Sequence, residues 1–434
     1  MQNKKSFASF LIFFVLLVAV LLKCADLLEN KQSRIKYTPF FESETNFDVI
    51  FMGTSHTYNS IFPQELWREY GITSYNWGYS NCTIVEDYYI LQDVLKYTNP
   101  KLIVIDLYGL IEYENYGGYG NGKYRSDRIE QQHVQFDVIP LSLNKIKASQ
   151  DIFDDYEGNI DFIANFFMYH NRWTELAEQD FNSDVSPEKG GQFLTGLGKN
   201  VCFNMIENDE RMEIESVCYQ YLLKLVDYCS INDIQVLCVY LPYPAEKGQQ
   251  LVANSMEDLL KDYSNCRYIN LLNREILNMT TDIFSDGGHL NYMGGCKVTS
   301  WIGQYISENY KINNYLNDSA YAIHWNNDYE DYLNYKIKNI CNHDDIYEKL
   351  LLTYGTDFEI ELSIAKECHV ESEDTIISEF IKELVDNVSI VNVEEVYVKD
   401  IPCDIYLSIK CVENQEIIDS AGYTYENGVY TYIQ

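Results

Sequence analysis

Apolar and polar positions along the chain fall into three textures. Residues 6–22, SFASFLIFFVLLVAVLL, are uncharged without a break, with Lys4 and Lys5 before them and Lys23 after. At 1.5 Å per residue this run makes a helix of about 25 Å, the short end of a membrane span. From Phe47 to Tyr310 short apolar runs alternate with amphipathic stretches. Residues 47–52 (FDVIFM), 72–77, 101–107 (KLIVIDL), 234–241 (IQVLCVYL) and 267–271 read as strands. Residues 83–97, 214–229, 251–263 and 292–310 read as helices. The first has a capping box in Thr83 and Glu86, with Ile84, Tyr88, Leu91 and Leu95 on one face. Strands alternating with helices predict a three-layer α/β/α domain on a parallel sheet covered on both faces. Residues 108–210 interrupt the alternation with a long insertion, the kind of segment that builds a lid or substrate wall. Beyond residue 312 a Tyr-, Asn- and Asp-rich stretch reads as a helical connector. Alternating strands follow, with one helix near 375–385, as in a small α+β or β-rich domain.

The expected organisation is a cytoplasmic stub (1–5), a transmembrane signal-anchor (6–22), a polar linker (23–46), the α/β domain (47–312), a helical connector (313–345) and an acidic C-terminal domain (346–434). The two early lysines favour a cytoplasmic N-terminus and an extracytoplasmic body. A cleaved signal peptide is the competing reading, but no small-x-small site follows the apolar run. Lipidation of Cys24 is a third, opposed by the lysine before that cysteine. The 12 cysteines contain no CxxC pair, and several lie in apolar runs, as Cys238 does. They read as small core residues rather than a disulfide framework or a zinc site. Net charge is −34, with 66 acidic and 32 basic residues and no basic patch, which excludes a nucleic-acid partner. From Asn313 onward there are 25 acidic and 7 basic residues, so −18 of the total lies in the connector and C-terminal domain. The α/β block is only moderately acidic.

Parallel sheets collect reactive groups on loops at the carboxyl ends of their strands. Three such loops carry chemistry. The first strand ends in Met52-Gly53-Thr54-Ser55-His56, where Gly53 permits a tight turn that frees the Ser55 hydroxyl above the sheet edge. The loop before residues 292–310 reads Ser285-Asp286-Gly287-Gly288-His289-Leu290-Asn291. An acid three residues before a histidine can fix the imidazole tautomer while the other ring nitrogen faces a serine. The bland alternative is a helix-start loop in which Asp286 or Asn291 merely caps. After the second strand, Gly78 in Asn76-Trp77-Gly78 can aim its N–H into the cleft and form an oxyanion hole with the N–H of Ser55.

These blocks, in this order, resemble the SGNH/GDSL hydrolase superfamily over residues 47–310. The first block is GTS with Ser55, the second NWG with Gly78, and the last the D-x-x-H of Asp286 and His289, continued by HLN-x-x-G to Gly294. The resemblance implies an acyl-serine mechanism without cofactor or metal: Ser55 as nucleophile, His289 as base, Asp286 as its orienting acid. One departure stands out. The family places an oxyanion asparagine after the third strand, whereas here the chain runs Asp106-Leu107-Tyr108-Gly109. Tyr108, a later residue such as Asn115, or nothing takes its place. This departure and the single anchor resemble the cell-envelope branch: exported proteins that work with membrane-bound O-acyltransferases on surface polysaccharides, and the D-alanine transfer proteins of teichoic acid. The expected partners are an envelope glycan and an acyl donor. A non-catalytic scaffold on the same fold is the alternative. His56 reads as a second base or as packing support. His170, Arg172 and Trp173 in the insertion read as a substrate wall, Trp stacking on sugar and Arg binding carboxylate or phosphate, or as an ordinary packed segment. The loop YGGYGNGKY (116–124) lacks the ending of a phosphate loop.

Overall fold

Five parallel strands form the scaffold of the α/β block: β1 (Val49–Met52), β2 (Ser74–Asn76), β3 (Leu102–Asp106), β4 (Gln235–Tyr240) and β5 (Cys266–Asn270), in the spatial order β2-β1-β3-β4-β5. They belong to a computed structural model that describes residues 2–433 apart from 111–132, 154–155, 164, 182–184, 199–208, 273–274, 367, 369–374, 385–386 and 427–428. The helices used below are α1 (Gln2–Leu28), α2 (Gln32–Phe41), α3 (Ser55–Ser60), α4 (Pro63–Tyr70), α5 (Ile84–Val94), α6 (Asn165–Tyr169), α7 (Glu178–Phe181), α8 (Val217–Ile231), α9 (Lys247–Leu260), α10 (Tyr292–Asn309), α11 (Ser319–Asn342), α12 (Ile346–Thr353) and α13 (Thr375–Glu383).

The strands are buried on both faces, and successive side chains point to opposite layers. Val49, Phe51, Leu102, Val104, Leu237 and Val239 pack with Leu66 of α4 and with Val298 and Ile302 of α10. Ile50, Met52, Ile103, Ile105, Val236 and Cys238 pack with residues of α5, α8 and α9. This is the three-layer α/β/α arrangement predicted from the alternating texture. Thr83 and Glu86 form the expected capping box at the start of α5. The eleven cysteines among the described residues are all free thiols, and most are buried, as befits small core side chains.

The stretch expected to be a linker is not one. α1 continues through Lys23 to Leu28, and after only Glu29, Asn30 and Lys31 the chain enters α2. Tyr37 and Phe40, three residues apart on α2, are both buried. Tyr37 stacks on Trp77 with centroids 4.4 Å apart, and Phe40 stacks on Phe47 at 5.3 Å. Polar composition concealed this helix because its two aromatic residues suffice to dock it. α1 itself has a 20-residue stretch, Ser9–Leu28, long and apolar enough to cross a membrane, which fits either a signal sequence or an anchor.

The C-terminal strands β6 (Phe358–Ala365), β7 (Val388–Val393), β10 (Ile405–Cys411), β11 (Ile417–Glu426) and β12 (Val429–Ile433) make a second sheet, ordered β12-β11-β10-β6-β7, with β8 (Val396–Val398) and β9 (Ile401–Cys403) as a small ribbon. Its apolar face packs on α12 and α13, and the same cluster takes in Phe62, Tyr292 and Met293 of the α/β block. At the seam Glu65 of α4 accepts from the Tyr292 hydroxyl at 2.6 Å and from Arg68 at 2.8 Å, with the Lys336 ammonium of α11 at 3.5 Å. Lys336 also donates to the Tyr292 hydroxyl at 2.5 Å. Burial pushes the Glu65 carboxyl up, but the charges of Lys336 and Arg68 outweigh it and hold the group below the usual carboxylate range.

Removing one member of a buried ion pair strands the other. Lys336→Ala is expected to destabilise the protein by about 3–5 kcal/mol in denaturant melts. Lys366→Ala, which breaks the exposed pair with Glu394, is expected to change stability by less than about 1 kcal/mol.

Candidate active site

The site begins where β1 ends. Gly53 has φ of +132°, and a Cβ there would lie 2.5 Å from Thr57 Oγ1 and 2.9 Å from Asp106 Cβ. Only glycine can turn the chain so sharply against β3. Thr54 caps α3, its hydroxyl accepting from the His56 N–H at 3.3 Å. Ser55 is thereby the first residue of the helix, half-buried, with its hydroxyl at the carboxyl edge of the sheet.

The second half of the site is the loop 282–291. It closes on itself through Phe284 N–H to His289 O at 2.9 Å and Asn291 N–H to Asp282 O at 2.9 Å. Asn291 caps α10, its side chain accepting from the Gly294 N–H at 3.2 Å. A Cβ on Gly294 would lie 2.5 Å from Asp282 O, so the first turn of α10 can seat against the loop only with glycine there. The capping role thus falls to Asn291, and Asp286 is left for the histidine. Its Oδ1 accepts from the backbone N–H groups of Gly288 and His289 at 2.8 and 3.0 Å. Its Oδ2 lies 2.6 Å from His289 Nδ1, and His289 Nε2 lies 2.7 Å from Ser55 Oγ. Partial burial raises the Asp286 carboxyl, but these N–H donors and the imidazole more than offset that and hold it below its ordinary range. An ionised Asp286 can only accept, so Nδ1 keeps its proton and donates it to Oδ2 as a hydrogen bond, leaving Nε2 to accept from the serine hydroxyl. Ser55 is thus brought together with His289 and Asp286, some 230 residues further along the chain.

His56 supports this arrangement and offers no second base to the serine. Its Nε2 lies 3.2 Å from Gly288 O, which can only accept, so Nε2 carries the proton. Burial, reinforced by the nearby His289, lowers its pKa to about 3 and keeps it neutral. Its ring lies 4.9 Å from that of His289 and 4.1 Å from that of Tyr108, and Tyr108 in turn meets Tyr243 edge-on at 4.8 Å. Tyr108 is therefore part of a ring ladder behind the triad. Tyr243 was not foreseen, although it sits between Pro242 and Pro244 directly after β4, at the same carboxyl edge.

Two expectations need correction. The Gly78 N–H does not point freely into the cleft: it donates to Asn76 Oδ1 at 2.9 Å. The Asn76 amide spends both donor hydrogens on Thr57 O (3.1 Å) of α3 and Ile61 O (3.0 Å) just after it, and this turns its oxygen onto Gly78. The N–H of Ser55 has no acceptor among the described residues and remains available. Secondly, His170, Arg172 and Trp173 line no wall of this site. Arg172 donates to Leu28 O at 2.7 Å and to Asp180 at 3.1 Å, at the base of α1. The His170 ring bonds Phe167 O at 2.6 Å, and Trp173 is exposed. The insertion folds its aromatic segment onto the apolar helix, while residues 188–198 run beside the 283–292 loop, with Gly198 N–H on Ile283 O at 2.9 Å. Asn115 and the 116–124 loop lie outside the described residues.

Two further groups had no signal in the sequence. Lys36 of α2 donates to Gly78 O at 2.5 Å and lies 3.9 Å from the Tyr58 ring centroid. Enclosure by these rings lowers its ammonium to about 7. Asp106, at the end of β3, accepts from the N–H groups of Tyr108 and Leu241, both at 3.4 Å. Burial raises its carboxyl to about 7 against these bonds. A separate cavity of about 550 Å³ lies beyond β3 and β4, between Leu110, residues 212–216 and the start of α9, and no triad residue lines it.

No family model and no curated protein matches the chain. Among solved structures it is similar to a GDSL-like lipase from Bacteroides thetaiotaomicron, at 11% identity and a TM-score of 0.31, over 64% of this chain and 98% of that one. It is also similar to a candidate acylhydrolase from Bacteroides fragilis, at 12% identity and a TM-score of 0.30, over 64% of this chain and 99% of that one. Likeness of this degree carries no assignment of activity.

Gly53→Ala is expected to cost on the order of 2–3 kcal/mol of stability in denaturant melts, through the strained φ and the contact with Asp106. Asp106→Asn keeps the acceptor and removes the charge. A carboxyl raised from 3.8 to about 7 keeps its proton in the folded state and loses it in the unfolded state across that window, so stability falls as pH rises through it. The variant is expected to match the parent near pH 4 and to melt higher at pH 8. Asp87 and Glu188 are raised in the same way, so the variant lessens the slope of the pH profile without flattening it.

Proposed function

We propose that the protein is an exported, membrane-anchored serine esterase or acyl-ester transferase acting on cell-envelope polysaccharide. The observation that carries this reading is the relay Asp286–His289–Ser55, with contacts of 2.6 and 2.7 Å at the carboxyl edge of the sheet. His289 takes the Ser55 proton as Oγ attacks the acyl carbonyl of a donor ester. The tetrahedral oxyanion faces the N–H of Ser55 at the start of α3. Collapse expels the donor alcohol, which receives the proton from His289, and leaves an acyl-serine. A glycan hydroxyl or water, deprotonated by His289, then attacks and releases the ester or acid. Half-exposed Asp286 and His289 leave the site open to a large acceptor. A membrane-bound O-acyltransferase is the partner class that fits an anchored, extracytoplasmic acyl carrier.

One observation favours a second reading, a non-catalytic scaffold of envelope modification. No asparagine stands directly after β3, where the chain runs Leu107-Tyr108-Gly109, and the Gly78 N–H is engaged by Asn76. Each missing oxyanion donor typically costs about 100–1000-fold in turnover.

A fluorophosphonate probe is expected to label the wild-type protein and to leave Ser55→Ala unlabelled. Labelling that persists in the alanine variant would sink the esterase reading. Asp286→Asn, which frees the imidazole to adopt the wrong tautomer, is expected to slow labelling by roughly 10³–10⁴-fold while leaving the melting temperature nearly unchanged.

A further inference from the structure

α1 exposes its apolar side chains along most of its length, from Phe7 to Leu22. Its other end is docked. Leu28 is buried, its carbonyl accepts from Arg172, and Arg34 pairs with Asp26 and Glu29. The elements packed against α1 are α6 and α7, with the turn of Arg172–Thr174 between them. From these same elements three large aromatic side chains face solvent: Phe167 at 53% exposure, Trp173 at 69% and Phe181 at 62%. Scattered exposed apolar residues need no explanation, but three within fifteen positions, gathered around the foot of an apolar helix, form a patch.

We propose that Phe167, Trp173 and Phe181 form a collar that beds into the headgroup–acyl boundary of the bilayer leaflet from which α1 emerges. This rests on the reading of α1 as a retained anchor. If its apolar stretch fills the hydrocarbon layer, whatever packs on its last turns stands at the membrane surface. Trp favours that boundary because its apolar body and its polar N–H are both satisfied there, and the Phe rings bed on its acyl side. Of the acidic groups beside the collar, Asp180 is paired with Arg172 and both Asp26 and Glu29 with Arg34, while Glu175 and Glu178 are exposed and can keep their carboxylates in the aqueous layer beside the headgroups. With three residues between α1 and α2, and α2 docked in the core, the body cannot swing on its anchor. The collar then holds it against the bilayer in one orientation.

The test uses the full chain reconstituted in phosphatidylcholine–phosphatidylglycerol vesicles carrying a lipid spin-labelled near the top of the acyl chain. Of the five tryptophans, Trp67, Trp77 and Trp325 are buried and Trp301 is only partly exposed. Quenching by the lipid is therefore expected to come mainly from Trp173, and Trp173→Phe is expected to remove more than half of it. Protein that floats with the vesicles but whose quenching is the same in Trp173→Phe would overturn the collar and leave the anchor standing. Protein that does not float would overturn the anchor reading, and the collar with it.

Discussion

Glu65 is a carboxylate sealed inside the protein, and three separate parts of the chain meet on it. Arg68 comes from its own helix, the Tyr292 hydroxyl from the first residue of α10, and Lys336 from the connector helix α11. A buried charge is tolerated only when its partners are in place. The connector helix α11 therefore cannot leave the α/β block without exposing an unpaired ion. Tyr292 stands three positions after His289, so the same contact fixes where the 282–291 loop leaves the core. The C-terminal domain helps seat that loop, in addition to bringing much of the acidic charge.

The loop in turn needs its other neighbours. Gly53 sets Ser55 at the sheet edge, Asn76 ties the β2 turn to α3, and His56 reaches across to Gly288 O. Each of these is a short-range device, and each depends on the parallel sheet holding β1, β2 and β3 side by side. Neutral His56 is the clearest case. Desolvation removes its use as a base at ordinary pH, and its ring hydrogen is then spent holding the loop that carries Asp286 and His289.

The N-terminal end is built by similar means. Polar composition suggested a free tether between anchor and body, but two aromatic side chains on α2 dock it onto Trp77 and Phe47. Lys36, on the same helix, reaches the carbonyl of Gly78, so the segment next to the apolar helix touches the turn beside the site. The insertion that looked like a substrate wall packs its Arg172 on the end of α1.

The sequence by itself determined the alternation of strands and helices, the capped start of α5, the apolar N-terminal helix and the two loops that carry Ser55 and Asp286–His289. These are local: each follows from periodicity, a capping pair or a glycine within a few positions. Tertiary structure decided what depends on partners far along the chain. Asn76 could be recognised as the group that occupies the Gly78 N–H only after α3 was seen against β2. Tyr243 joined the ring ladder because β4 lies beside β3. Lys336 found its carboxylate 271 positions away. Hydrogen bonds and desolvation are set by neighbours in space, and one sequence read alone holds no record of which distant residues become neighbours.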